Sequence, residues 1–204
     1  MSPNAAPLIM TTRPTESATL AVDGAATCRF ATDAGHQTLG RMTRACIGLG
    51  ANLGAARAAI DTAIDAIARL PHCRLVARSS HYGSAPVGYE AQPDFVNAVV
   101  AIDTALEPLE LLHALQGIEA AHGRVRSFRN APRTLDLDLL LYGEQCLQGA
   151  ELTLPHPRLH ERAFVLLPLH EIVPDLHLPG HGRLALLLEA VAGQRIERLS
   201  PLRP

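Results

Sequence analysis

Apolar positions in this chain recur with two periods, two and about 3.6, and the switches between them predict its elements. Residues 1–41, rich in Ala, Thr, Ser, Pro and Gly, hold neither period. They are expected to form a disordered extension ahead of a domain spanning 42–204, with Met42 a candidate for the physiological start. Arg44–Leu49 reads as a short buried strand, and Gly50-Ala51-Asn52-Leu53-Gly54 as a turn into a helix. Ile60, Ile64 and Ile67 keep helical spacing up to Pro71. Arg74–Tyr82 and Phe95–Ile102 read as strands, joined by a loop over 83–94 longer than an ordinary hairpin. Pro108–His122 predicts an amphipathic helix with Leu111, Leu112, Leu115 and Ile118 on one side, ended by Gly123. Leucines at 135, 137, 139 and 141 then alternate with other residues, the mark of a strand with one buried face. Leu159–Ile172 reads as helical with a proline interruption, and Arg183–Ala192 as a last helix. The order β-α-β-β-α-β predicts an α+β, ferredoxin-like core with additional C-terminal helices.

The length of 204 residues suits one well-cored domain. A net charge of −2 gives no broad basic surface for nucleic acid or a membrane. No apolar run approaches membrane-spanning length, so a cytoplasmic protein is expected. All 18 basic residues are arginine, which excludes a Walker-type lysine loop, a pyridoxal Schiff base and a lysine general base. Any nucleotide must therefore be held by Arg, His, backbone and metal. The 4 cysteines lie far apart with no Cys-x-x-Cys, as reduced thiols do.

The alternation over 135–141 places Asp136 and Asp138 side by side on one strand face, roughly 6.5–7 Å apart. Taken alone, an Asp-x-Asp of this kind is ordinarily solvated surface. Asp is disfavoured in strands, however, and Arg124, Arg126, Arg129 and Arg133 crowd the segment just upstream with no acid among them. Paired hard oxygens suit Mg²⁺, and the arginines suit a polyphosphate. Phe95 and Asn97 share a strand face and could stack on and read a flat heterocycle, although core packing also accounts for Phe95. Gln116 and Glu119 fall off the apolar stripe of their helix, where a solvated face is the ordinary expectation. His156/His160 and His177/His181 have zinc-compatible spacing, but Pro157 and Pro179-Gly180 interrupt the pairs. The run Gly48-x-Gly50-x-x-x-Gly54 has its third glycine one position late for a dinucleotide fingerprint, so a tight turn explains it better.

Ala131-Pro132-Arg133-Thr134-Leu135-Asp136-Leu137-Asp138-Leu139-Leu140 closely resembles the defining motif of the 6-hydroxymethyl-7,8-dihydropterin pyrophosphokinases, apart from Ala131 where Gly or Ser is usual. The likeness extends to Ile47–Gly54, Gln92–Asn97, Gly123–Arg126 and Pro155-His156 with Arg162 and Phe164, and so covers about Thr43 to Ala192. It implies pyrophosphoryl transfer from ATP to a pterin alcohol in folate biosynthesis, with AMP released. Asp136 and Asp138 would hold two Mg²⁺ ions. Arg133 and His156 match phosphate-contacting positions, Arg124 a loop arginine that supports catalysis, and Arg162 the pterin-side phosphate path. Gln116, Glu119, Arg126, Leu139 and Thr153 match the nucleotide site; Ser84, Ala85, Val87, Phe95, Asn97 and Phe164 match the pterin pocket. The partners implied are the two small-molecule substrates, ATP and the pterin, with the protein a monomer.

Two departures stand out. A tryptophan seals the pterin in several family members, and this chain has none. Pro157 stands where some relatives place a tyrosine that aids ATP binding. The competing readings are a non-catalytic Mg-nucleotide-binding homologue, which forms no AMP, and an NAD-dependent oxidoreductase built on the glycine run.

Overall fold

A computed structural model of the chain describes residues 42–86, 88, 91–123 and 132–200. The expectation for residues 1–41 lies outside the described residues. The elements are β1 (Thr43–Ala51), α1 (Ala56–Ala68), β2 (Cys73–Arg78), β3 (Tyr82–Ser84), β4 (Phe95–Thr104), α2 (Pro108–Ala121), β5 (Asp136–Tyr142), β6 (Leu147–Gln148), β7 (Thr153–Leu154), α3 (Ala163–Ile172), β8 (His177–Leu178), β9 (Gly182–Arg183), α4 (Leu184–Ala190) and β10 (Ile196–Arg198). The main sheet runs β10-β3-β4-β1-β5, with β2 also paired to β4, and each of its pairings is antiparallel. Counting β2 and β3 together as the second core strand, this is the ferredoxin-like strand order, extended at one edge by β10.

The expected continuous strand Arg74–Tyr82 is divided, and Ser79 is the reason. Its hydroxyl accepts the Val99 N–H at 2.9 Å while its own N–H donates to the Val99 carbonyl, also at 2.9 Å. A side chain thus takes the place of a ladder bond. The strand resumes as β3 opposite Phe95–Asn97.

Helices cover both sheet faces. Ala45, Ile47, Leu49, Ala98, Val100 and Ile102 pack under α1 and α2, whose buried residues include Ile60, Ile64, Ile67, Leu111 and Leu115. Cys46, Val99, Ala101 and Leu140 pack on the other side with Val165, Leu166 and Leu169 of α3 and Leu184 of α4. The expectation that β5 buries one face is therefore corrected. Leu135, Leu137 and Leu139 point into the first core, but a bulge opposite Cys46/Ile47 reverses the alternation, sending Leu140 and Leu141 to the second core and Tyr142 to the first.

Helix α2 starts at Pro108 after a capping box in which Glu107 N–H donates to Glu110 Oε2 at 2.9 Å. The expected helix Leu159–Ile172 is a 3₁₀ turn over Leu159–Glu161 followed by α3, because Arg162 between them is extended (φ −121°, ψ 110°). The last helix is shorter than expected, Leu184–Ala190 rather than Arg183–Ala192.

Candidate functional site

The register of β4, β1 and β5 sets two rungs on the face turned towards α3. Gly50 lies between Asn97 and Asp136, and Gly48 between Val99 and Asp138. Strand β1 therefore continues past the expected strand end at Leu49 through Gly50, which the sequence pattern assigned to a turn; the turn itself is at Gly54, whose φ is +60°. Among the described residues, a Cβ on Gly50 would meet only Asn97 Oδ1 within 4 Å, at 3.4 Å, and the three atoms nearest to one on Gly48 all belong to Leu140, from 3.4 Å. Bare backbone thus forms the floor of a cavity between an amide and two carboxylates.

One wall of that cavity comes from β3 and β4. Ser84, Ala85, Phe95 and Asn97 line it, and Phe164, from the first turn of α3, faces them. Asn97 is 5 % exposed. Its Nδ2 donates to Ser84 Oγ at 3.0 Å and to the Tyr82 carbonyl at 3.4 Å, so Oδ1 is the end presented over Gly50. The slot therefore offers aromatic faces and a fixed acceptor, which suits a flat heterocycle bearing N–H groups. The Arg162 guanidinium lies 5.5 Å from the Phe164 ring centroid. The structure thus gathers the pterin-side residues expected from the sequence, except Val87, which lies outside the described residues along with Arg124 and Arg126.

Asp136 and Asp138 stand at the inner end of the same cavity and also line a second one on the α2 side, with Gln116, Glu119, Arg133, His156 and Arg162. Arg133 Nη1 pairs with Asp136 Oδ2. Burial first, and the Asp136 charge second, push the Asp138 carboxyl up to about 6, with Arg162 and Arg133 opposing. Burial and the neighbouring Arg158 hold the Arg162 guanidinium below its usual value. Burial, with Arg162 and Arg158 beside it, brings His156 down to about 4, so its imidazole is neutral at pH 7. The Arg158 N–H donates to His156 Nδ1 at 3.2 Å, which leaves Nε2 as the protonated, donating nitrogen.

Two crowded carboxylates flanked by cationic and neutral donors form a hard-oxygen set suited to Mg²⁺. A divalent ion there would relieve the Asp136 repulsion that, after burial, raises Asp138. Glu119 corrects the solvated-face expectation: it is 3 % exposed, and its Oε1 accepts the Leu137 N–H at 2.7 Å. Gln116 is exposed on the same helix, as expected. Leu139 is buried in the core under α1 and α2, and Thr153 lies in β7; neither lines these two cavities. His160 stacks on His181, ring centroids 3.9 Å apart, so one member of each sequence pair meets a member of the other.

Sequence reasoning missed Gly48, Gly50, Gln92 and Arg158 as cavity-lining residues. Gly48 was read inside a strand and Gly50 as the start of a turn, neither as the floor of a cavity. Arg158 carried a signal in its place two residues after His156. Gln92 carried one as the first residue of the Gln92–Asn97 stretch that resembles the family, but was given no role.

Residues 46–174 match the sequence model of the 7,8-dihydro-6-hydroxymethylpterin-pyrophosphokinase (HPPK) family. The 2-amino-4-hydroxy-6-hydroxymethyldihydropteridine pyrophosphokinase of Pseudomonas aeruginosa is 53 % identical over 156 residues, covering 76 % of this chain and 96 % of that protein. The enzyme of the same name from Haemophilus influenzae is 46 % identical over 160 residues, covering 78 % and 100 %. Among solved structures, an HPPK-DHPS in complex with substrates superposes with a TM-score of 0.56 at 14 % identity, covering 74 % of this chain. Wild-type Plasmodium falciparum HPPK-DHPS with STZ-DHP gives 0.57 at 15 % identity, covering 74 %. The present chain spans 43 % and 42 % of those two chains, and the likeness to them is one of fold.

Proposed function

Since the chain belongs to the 7,8-dihydro-6-hydroxymethylpterin-pyrophosphokinase family, we propose that its two rungs hold the pterin and the ATP phosphates of that reaction side by side. It is a folate-biosynthesis pyrophosphokinase with ATP as co-substrate. The observation that carries the detailed reading is the row Asn97–Gly50–Asp136, which sets a flat, aromatic-walled slot directly against a carboxylate pair.

In this reading Phe95 and Phe164 sandwich the pterin, and Asn97 Oδ1 accepts from its N–H edge. Ser84 and Ala85 close the side of the slot. The hydroxymethyl oxygen then points towards Asp136 and Asp138. That oxygen forms a bond to the β-phosphorus of ATP as the bond from this phosphorus to the α,β-bridging oxygen breaks. AMP leaves with the bridging oxygen, and the hydroxyl proton passes to solvent. Asp136 and Asp138 would hold Mg²⁺, two ions in this reading, which would supply charge neutralisation and alignment of the triphosphate. Arg133 and Arg162 bind phosphate oxygens, and neutral His156 donates from Nε2. Phosphoryl transfer depends mainly on such positioning and charge neutralisation, so no strong general base is required. Gln116 and Glu119 border the nucleotide side. Arg124 and Arg126 complete the set on sequence grounds.

A monomer is the working form in this reading. Among the described residues no helix is long and apolar enough to cross a membrane, and a cytoplasmic enzyme is the reading adopted. The named relatives are pyrophosphokinases, which favours the transferase over a non-catalytic nucleotide binder. An NAD-type loop is disfavoured because Gly48 and Gly50 lie within β1 rather than between strand and helix.

The test is product analysis with ATP, Mg²⁺ and 6-hydroxymethyl-7,8-dihydropterin. Pterin-dependent AMP with matching pterin diphosphate is the expected result. ADP, or no turnover with Mg-ATP still bound, would overturn it.

A further inference from the structure

Asn52 follows β1 directly and is 4 % exposed. Both ends of its side-chain amide are engaged, and each end serves a different half of the site. Nδ2 donates to Gln92 Oε1 at 2.9 Å and to the Pro93 carbonyl at 3.1 Å, while Oδ1 accepts the Arg133 N–H at 2.8 Å. The backbone N–H groups of Asn52 and Leu53 both reach the Arg133 carbonyl, at 3.0 and 3.2 Å.

The amide orientation is fixed by its backbone partners. A peptide N–H can only donate and a peptide carbonyl can only accept, so exchanging Oδ1 and Nδ2 would break the contacts with Arg133 and Pro93 together. An amide of this length is what the position demands. Asp lacks the donor, Ser lacks the reach, and Gln adds a methylene in a buried place.

The two arms lead to different substrates. Gln92 and Pro93 run straight into Phe95 and Asn97, the wall of the flat slot, and Gln92 itself lines that cavity. Arg133 pairs with Asp136 on the phosphate side. Asn52 itself lines neither cavity. We propose that Asn52 is a positioning residue that ties the pterin half of the site to the phosphate half. Nucleotide held at Arg133 then steadies Gln92–Pro93 through this amide and raises affinity for the pterin, and by linkage the pterin raises affinity for nucleotide. This rests on the substrate assignment made above.

Asn52→Asp isolates one arm. The carboxylate still accepts from Arg133 N–H, but its other oxygen faces the Pro93 carbonyl, which cannot donate. Asn52→Ala removes both arms. Calorimetry on the full chain would use 6-hydroxymethyl-7,8-dihydropterin and Mg²⁺ with non-hydrolysable α,β-methylene-ATP, each ligand alone and after the other.

In the unmodified protein the nucleotide should tighten pterin binding by ~5–150-fold, the usual span of such couplings. Asn52→Asp should lose most of that enhancement with little change in nucleotide affinity alone, and Asn52→Ala should weaken both ligands. A folded Asn52→Asp protein with the enhancement intact overturns the proposal. So does a parallel weakening of both ligands in that variant, which marks a merely structural role. Failure of the unmodified protein to bind either ligand overturns the substrate assignment instead.

Should Asn52→Asp not fold, Gln92→Ala removes one partner of the same arm. A smaller enhancement in Gln92→Ala supports the tie. Pterin binding weakened equally with and without nucleotide overturns it, since that is the signature of a lost direct contact alone.

Discussion

Replacing Gly50 by alanine tests the bare-backbone floor most directly. Gly50 sits inside β1, paired on both sides, and its backbone is not in the left-handed region. Alanine is therefore unstrained, and relative to glycine it gains roughly 0.5–1 kcal/mol in the interior of an element by restricting the unfolded chain. The added Cβ lies 3.4 Å from Asn97 Oδ1, an ordinary contact, with nothing else among the described residues within 4 Å. The fold should accept the methyl group, with a stability change of no more than about 1 kcal/mol.

The substrate should not accept it. The methyl stands up from the floor between Asn97, proposed to read the ring, and Asp136, proposed to border the phosphates. One methyl-sized misfit in a fitted pocket is worth about 1–3 kcal/mol, or ~10–200-fold in kcat/KM. Steady-state AMP formation at varied pterin and fixed saturating ATP, alongside thermal melts, separates the two effects. The expected result is a ~10–200-fold loss in kcat/KM for the pterin with the melting temperature unchanged or slightly raised. Gly54→Ala should show the reverse split: its φ of +60° is costly for alanine, while an added Cβ meets nothing within 4 Å. A folded Gly50→Ala protein within about threefold of wild type, under 1 kcal/mol of barrier, would refute the idea that the ring rests on β1.

Three further outcomes are expected. Asp138→Asn should abolish turnover yet raise the melting temperature in EDTA at pH 7. The folded pKa near 6 exceeds the ordinary carboxylate value, so ionised Asp138 costs stability, on the order of 1–3 kcal/mol, that sets in as pH rises from 4 to 6; a lower melting temperature in EDTA would contradict this. His156 should stay neutral from pH 8 to 6 in an NMR titration of its ring. Its folded value of about 4 lies below the usual 6.5, so stability falls as pH drops below 6.5, by about 2 kcal/mol at pH 5, and His156→Gln should flatten that slope. Glu171 accepts from Ser80 N–H at 3.0 Å, and from Ser80 Oγ, Tyr82 Oη and Arg198 at 2.9 Å each, joining α3, β3 and β10. Burial, then Glu171, push Tyr82 up to about 12, so Glu171→Gln should make Tyr82 ionise at lower pH in a phenolate absorbance titration and cost roughly 1–3 kcal/mol of stability.

What could be read from the sequence was what local periodicity encodes. The Leu-Asp-Leu-Asp-Leu alternation places Asp136 and Asp138 on one face because a strand's side chains alternate whatever surrounds it, and the structure keeps that placement. The order of elements likewise predicts the ferredoxin-like arrangement, since short connections leave few ways to close an antiparallel sheet. Long-range register was not legible. Gly50 reads as a turn residue until β4 and β5 are laid beside it, whereupon it becomes the gap between Asn97 and Asp136. Glu119 reads as solvated because helical spacing says which residues share a face, not what meets the end of that face; here it meets the Leu137 N–H. The break at Ser79 and the reversal at Leu140 have the same origin, each set by a neighbouring strand. Asn52 shows the consequence for function. One amide in a Gly-Ala-Asn-Leu-Gly turn carries no periodic signal, yet its donor and acceptor ends meet backbone groups distant in sequence, at Pro93 and Arg133. The proposed metal-holding and ring-reading residues Asp136, Asp138 and Asn97 lie in patterned strands and could be proposed from the chain alone. Those that set the distance between them are fixed by pairing, and only the folded sheet brings them into view.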